Sequence, residues 1–351
     1  MAIIFVQTVT PFNSAPIREI PKYVFENCNQ MTNNNYAEPY LLALKKAAET
    51  MTKECLETLC KQKPEGAFTK KAEELDWVFG LDALEKELLS HPNPEMLLTA
   101  EKVIEWNGRF SRLLNQNPGK FRVEGIRWPK YQLNLAEAAC EPFIFNKLIK
   151  KLGSNIFETL SSSDGKKMQC VVSKETVISH INNCRNNIQQ LQSPSTNAPD
   201  FIWKNLPDLK ADVVHQWAKE QARDDGKIDL CKWVCDRYHF FPPGKVLAGE
   251  LAASIEAIKD PKMDPIEKAC RIWYDIIRLH ISHEANKRTG KALGSVILLA
   301  YGYLPPKIGK EDAREYVDSL KYGFEKETGF EEFKQFVIRK VNEIQTEYKK
   351  L

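Results

Sequence analysis

The chain has 351 residues, with 50 lysines and arginines against 47 aspartates and glutamates and a formal net charge of +3. That near-balance leaves no electrostatic footprint for non-specific binding to nucleic acid or an anionic membrane. With 43% hydrophobic and 28% charged residues, and only 16 glycines and 19 prolines, a collagen-like, linker-rich or disordered chain is excluded, and no stretch approaches the ~18 apolar residues of a membrane span.

The N-terminal MAIIFVQTVTPFNSAP has no basic n-region and too short an apolar run for a secretory signal. The expectation is a cytoplasmic protein, acting in its own cytosol or in a host's if a dedicated machine exports it. From 38 to 62 the apolar residues Leu41, Leu42, Ala48, Met51, Cys55 and Leu59 fall at helical spacing, ended by Pro64. Residues 70–90 and 100–115 repeat that style, the second opened by Thr99 as N-cap. The stretch PGKFRVEGIRWPKYQ, 118–132, is punctuated by Gly and Pro and alternates locally, which predicts a small β-hairpin. Helical patterns resume over 134–152, 174–191 and 209–223, with polar loops at 161–167 and 192–200. Clean helices then follow over 244–258, 264–281, 287–301, 311–325 and 330–349. There is no internal repeat. The fold class is predominantly α with one small β element.

Nine cysteines sit at 28, 55, 60, 140, 170, 184, 231, 235 and 270. The odd count and irregular spacing predict free thiols in a reducing compartment. Cys231, Cys235 and His239 fall four apart, a spacing that would stack them on one helical face. Three ligands without the tight CxxC spacing make a poor zinc site, so buried small hydrophobes on CKWVCDRYHF are the better reading.

Chemistry concentrates in DPIEKACRIWYDIIRLHISHEANKRTGKALGSVILLAYGY, residues 264–303. It reads as a buried helix, a polar turn and a second buried helix, with Ala269, Ile272, Trp273, Ile276 and Ile277 on the first apolar face. Between them lies HISHEANKRTGK. The second helix would offer free N–H groups and the positive end of its dipole beside Lys287, Arg288 and Lys291, an arrangement that binds phosphates. Glu284 is a hard oxygen ligand suited to Mg²⁺ on those phosphates. His280 could take a proton from an attacking hydroxyl near neutral pH. HEANK lacks the second histidine of HExxH, and Ala285 and Ala292 stand where a Walker A loop needs Gly and Ser or Thr. A solvated helix–helix turn remains the bland alternative.

The segment resembles the Fic/Doc family signature HxFx[D/E][G/A]N[G/K]RxxR. His280, Glu284, Ala285, Asn286, Lys287 and Arg288 match it in order. Residues 98–114 resemble the family's first core helix, PGKFRVEGIRW its flap hairpin, and FFPPGKV, DPIEKAC, LAYGYLPP and the closing GKEDAREYVDSLKYGFEKETGFEEFKQFVIRKV its remaining core. The resemblance implies a Fic-type helical bundle: a core over 96–134 and 238–351, an N-terminal helical region over 1–95 and a helical insertion over 135–237. It implies a protein-modifying transferase that moves AMP from ATP onto a Ser, Thr or Tyr hydroxyl of a target protein. His280 would be the base and Glu284 the Mg²⁺ ligand. Asn286, Lys287, Arg288, Gly290 and Lys291 would bind nucleotide phosphates. The flap residues Arg122, Val123, Glu124, Gly125, Ile126 and Arg127 would align the target backbone by strand addition.

Two positions depart from the signature. Ser282 replaces the phenylalanine that anchors the loop, a loss of roughly 3 kcal/mol unless Ile281 takes its place. Lys291 replaces the last arginine and loses bidentate phosphate recognition. Lys287 is shared with the Doc branch, so transfer of the terminal phosphate, of UMP from UTP or of phosphocholine from CDP-choline stand as alternatives, as does a degenerate binding module. The family's self-inhibitory [S/T]xxxE[G/N] helix has its nearest match at Thr69 and Glu73, with Glu74 departing from the pattern; regulation could otherwise come from another chain. The insertion is expected to recognise the target or to cap the core.

Overall fold

The computed structural model describes residues 45–61, 63–64, 66–89, 91–161, 169–186, 209–325 and 329–348. The expectations for 1–44, including Leu41 and Leu42, and for the polar stretch 192–200 lie outside them. The chain forms two compact units, one from the residues up to Glu124 and from Gly244 onward, the other from Gly125–Pro243. Both are predominantly helical, as the sequence predicts.

In the first unit, helical turns at 45–50 are followed by α1 (Lys53–Cys60), α2 (Ala67–Leu84) and α3 (Ala100–Arg109). The single helix expected over 38–62 is interrupted at Met51–Thr52. The Thr52 side chain accepts the Cys55 N–H at 3.2 Å and starts a new helix as its N-cap. Thr99 caps α3 in the same way through Lys102 N–H, as expected. After the second unit come α9 (Leu247–Ile258), α10 (Pro265–Leu279), α11 (Asn286–Ala300), α12 (Ala313–Glu325) and α13 (Gly329–Tyr348).

The core of this unit lies between α10 and α11. A Cβ at Gly290 would lie 2.7 Å from the Trp273 carbonyl, and one at Gly294 3.0 Å from the Ala269 carbonyl. These two glycines, one turn apart, let the helix backbones approach. On the other side of α10, Trp273 meets Phe333 edge-on at 5.5 Å and donates its indole N–H to the Tyr316 hydroxyl at 3.0 Å. A buried Lys268–Glu95 pair at 2.7 Å, with the Tyr301 hydroxyl donating to the same carboxylate, ties the residues ahead of α3 to α10.

The second unit holds α4 (Leu135–Leu152), α5 (Ile156–Ser161), α6 (Lys174–Asn186), α7 (Ala211–Gln221) and α8 (Leu230–Arg237). Its core gathers Cys140, Ile144, Leu148, Val177, Ile181, Trp217, Trp233 and Val234. Asn134 and Glu137 form a full capping box at the start of α4, and Glu137 also accepts from the Arg237 guanidinium at 2.7 Å. Two short antiparallel ladders complete it: β1 (Arg127–Pro129) with β4 (Tyr238–Phe240), and β2 (Val171–Ser173) with β3 (Lys227–Asp229).

The hairpin expected over 118–132 is therefore corrected. Only 127–129 is strand, and its partner comes from 238–240, with Trp128 opposite His239. The reason is local: Gly119, at φ 74°, turns the chain hard against Gly108, and Arg122 is committed elsewhere by its backbone and side chain (below). The expected helix through His239 is also shortened. It ends at Arg237 and the chain turns into strand, so His239 does not share a helical face with Cys231 and Cys235. Burial pushes the Cys231 thiol up to about 11. Among the described residues no cluster of three His, Cys, Asp or Glu side chains could hold a metal.

Candidate active site

The site is built where α10 stops. Asp264 opens that helix by accepting the Ile266 and Glu267 N–H groups, with Pro265 preset at the first position. It closes at His280, whose backbone lies in the left-handed region at φ 49° and whose N–H donates to the Ile277 carbonyl at 3.1 Å. A non-glycine residue adopts that conformation only where its surroundings fix it. Ile281 and Ser282 follow, both wholly buried.

The loop is then closed by amides. The Ser282 N–H donates to Asn286 Oδ1 at 3.0 Å, and Asn286 Nδ2 returns a hydrogen bond to the Ser282 carbonyl at 2.7 Å. Asn107, on α3, donates to both the Glu284 carbonyl at 3.1 Å and Thr289 Oγ1 at 3.0 Å. Thr289 in turn donates to the Ala285 carbonyl at 3.0 Å. Ala285 is left-handed at φ 62°, where only a small side chain fits easily. The phenylalanine lost at Ser282 is answered twice. Ile281 sits in the apolar core, and the Ser282 hydroxyl pairs with Asn115 Nδ2 at 3.0 Å.

Electrostatics follow the burial. The His280 imidazole is held down to about 4, first by desolvation and then by the charges of Arg122, His283 and Lys287. It is neutral at pH 7. Burial lowers the Arg288 guanidinium while Glu73, Asp76 and Glu284 oppose that shift. Asp76, wholly buried on α2, is raised to about 6 by desolvation, although it accepts the Leu113 N–H at 2.9 Å. His283 Nε2 lies 2.8 Å from the Glu124 carboxylate.

Several expected residues come together on this loop and the first turn of α11. His280 is partly buried, Glu284 is exposed, Asn286 is buried and braces the loop, and Lys287 and Arg288 are half-buried. Gly290 and Lys291 stand apart from that display. Gly290 faces Trp273 as a packing residue, and the Lys291 side chain is buried at 4% exposure. Thr69 is not an N-cap, since α2 begins at Ala67 behind Gly66. Glu73, one turn on, presents its carbonyl 3.5 Å from Arg288 Nη1.

Of the expected flap, Arg122 is buried, Val123 is 83% exposed and Glu124 pairs with His283. Gly125, Ile126 and Arg127 belong to the second unit. There the Ile126 carbonyl accepts the Phe241 N–H, and Arg127 pairs with Glu141 beneath the Phe145 ring. Asn107, Asn115, Thr289 and Asp76 carry no local sequence signal. Each acts across a sequence distance that no spacing rule spans, except Thr289, whose bond to Ala285 is an ordinary i to i−4 contact.

Comparison with known proteins bears on this geometry. Residues 208–298 match the Fic/DOC family model, beginning inside the stretch expected to be an insertion. Curated proteins give no match. Among solved structures the chain is similar to "Fic-1 (aa134 - 508) from C. elegans" at 14% identity and a TM-score of 0.37, over 93% of this chain and 68% of that one. The segment 208–298, which carries the His280 loop and most of α11, is of the Fic/DOC family.

Proposed function

We propose that this chain transfers AMP from ATP to a Ser, Thr or Tyr hydroxyl of a target protein, with His280 as general base. The observation that carries the reading is the left-handed stop of α10. It sets a neutral, largely desolvated imidazole immediately before a loop that feeds the N-terminus of α11. A base must be unprotonated to accept the target's proton, and burial keeps it so at neutral pH. The first turn of α11, which begins at Asn286, carries the positive end of the helix dipole, a cradle for phosphate oxygens.

In the step proposed, the target oxygen attacks the α-phosphorus as His280 takes its proton, and the bond from the α-phosphorus to the bridging oxygen breaks. Pyrophosphate leaves with the electron pair. Arg288 and the helix N-terminus stabilise the negative charge on that group, so catalysis rests on positioning and charge neutralisation. Glu284 is an exposed carboxylate, and among the described residues no group of three His, Cys, Asp or Glu side chains gathers around it to hold a metal. That fits Mg²⁺ held mainly by phosphates and water, where it would neutralise phosphate charge. Asn286 has both amide ends engaged with Ser282, so its first role is to shape the loop, and phosphate contact is a second use of the same amide.

Incubating the purified chain and cell lysate with Mg²⁺ and ATP labelled separately at the α and γ phosphates tests this, with His280→Ala alongside. Label from α-ATP alone, lost in the variant, is the expected result. Label from γ-ATP alone would move the reading to a kinase. UTP and CDP-choline donors distinguish the remaining transfers, and silence with every donor would leave a binding module.

A further inference from the structure

We infer that Arg122 is a positioning residue for His280, capping the end of α10 so that the imidazole is held in its left-handed turn; the inference rests on His280 being the base. Three successive carbonyls at that helix end accept from this one residue. Arg122 Nη2 donates to Leu279 O at 3.2 Å, Nε to His280 O at 2.6 Å, and the Arg122 backbone N–H to Ile281 O at 3.0 Å. Nη1 donates to the Glu124 carbonyl at 2.8 Å and keeps the guanidinium plane fixed.

The last carbonyls of a helix have no partners within it and carry the negative end of its dipole. A planar cation with donors in a rigid fork reaches two of them, Leu279 O and His280 O, together with the Glu124 carbonyl, in a fixed geometry that an ammonium lacks. The side chain is buried at 2% exposure, so water does not compete for these bonds. Burial draws the guanidinium down to about 10, still charged at neutral pH. That charge, with His283 and Lys287, adds to the desolvation that keeps His280 unprotonated. Arg122 thus shapes the turn and biases its charge, although no substrate need touch it.

The test uses the full chain carrying Arg122→Met and Arg122→Lys, read three ways: α-labelled ATP kinetics, the His280 imidazole titration by NMR, and amide exchange over 279–283. In Arg122→Met, kcat is expected to fall about 100-fold with KM for ATP within about threefold, as for a displaced catalytic group. The imidazole midpoint should rise toward ~6.5. Exchange over 279–283 should quicken at least about tenfold while the middle of α10 keeps its protection. Arg122→Lys should fall between the two chains. A folded Arg122→Met with unchanged titration and exchange overturns the inference. Should Arg122→Met not fold, an Arg122→Lys chain equal to the parent in all three readouts overturns it instead. If the parent chain transfers nothing, the transfer reading fails alone, because titration and exchange still decide the role of Arg122.

Discussion

His280 and Ser282 carry the sharpest expectations at the scale of single residues. Because the imidazole is held down to about 4, the acid limb of kcat/KM should lie near that pH and not near 6.5. A pH–rate profile that falls by half at pH 6.5 would contradict the buried-base geometry. His280→Ala should lose ~10²- to 10⁴-fold in rate, the usual worth of a positioned base. Ser282 looks like a lost aromatic anchor in sequence, yet its hydroxyl is paired with Asn115 and Ile281 fills the core. Ser282→Ala, which leaves the buried Asn115 amide short of a partner, should cost about 1–3 kcal/mol. Ser282→Phe should cost more, since no space is left for a ring. Urea denaturation of both variants checks this; a stabilised Ser282→Phe would show that the loop can take the other register.

At the scale of elements, α10 and α11 are one rigid pair because Gly290 and Gly294 remove the side chains between them. Gly290→Ala would push a methyl group against the Trp273 backbone, and overpacking of that kind costs about 1–3 kcal/mol. A denaturation midpoint unchanged by Gly290→Ala would show that the helices can separate freely. Helix α2 reaches the same place from another direction: its Glu73 carbonyl and its buried Asp76 both face Arg288. We propose that the Glu73 side-chain charge acting on Arg288 restrains nucleotide binding, in line with the Thr69–Glu73 pattern. Glu73→Gly should then raise the transfer rate about tenfold, corresponding to about 1.4 kcal/mol less restraint, measured with α-labelled ATP. An unchanged rate would leave α2 as a packing helix.

At the scale of the whole molecule, two buried groups pull stability in opposite directions with pH. Asp76 is raised from 3.8 to about 6, so its contribution is present below about 3.8 and lost as pH rises through 6. His280 is lowered from 6.5 to about 4, so its contribution is present above 6.5 and lost as pH falls through 4. Each shift is worth about 3 kcal/mol, and between pH 4 and 6 the two largely cancel. Asp76→Asn should therefore unmask a stability that climbs with pH across that window, read from urea midpoints; parent and variant profiles of the same slope would refute the raised carboxyl. The second unit, with its own core, is proposed to choose the target. Because Pro129 already faces Tyr238, 135–237 can be replaced by a short loop. Target modification should then vanish while ATP affinity stays within about twofold.

The amino-acid sequence by itself determined the helices and the reactive loop. Apolar spacing, Asp264–Pro265 and Thr99 fix where α10 and α3 begin, because caps and periodicity are local interactions. The order of His280, Glu284, Asn286 and Arg288 likewise needs only neighbours along the chain. Tertiary structure alone decided how the loop is held. Arg122 capping α10, Asn115 pairing Ser282, Asn107 bracing Glu284 and β1 finding β4 join residues more than a hundred positions apart. Such pairings depend on which buried donor meets which buried acceptor once the core has closed, and a buried polar group must find its partner there because water cannot reach it.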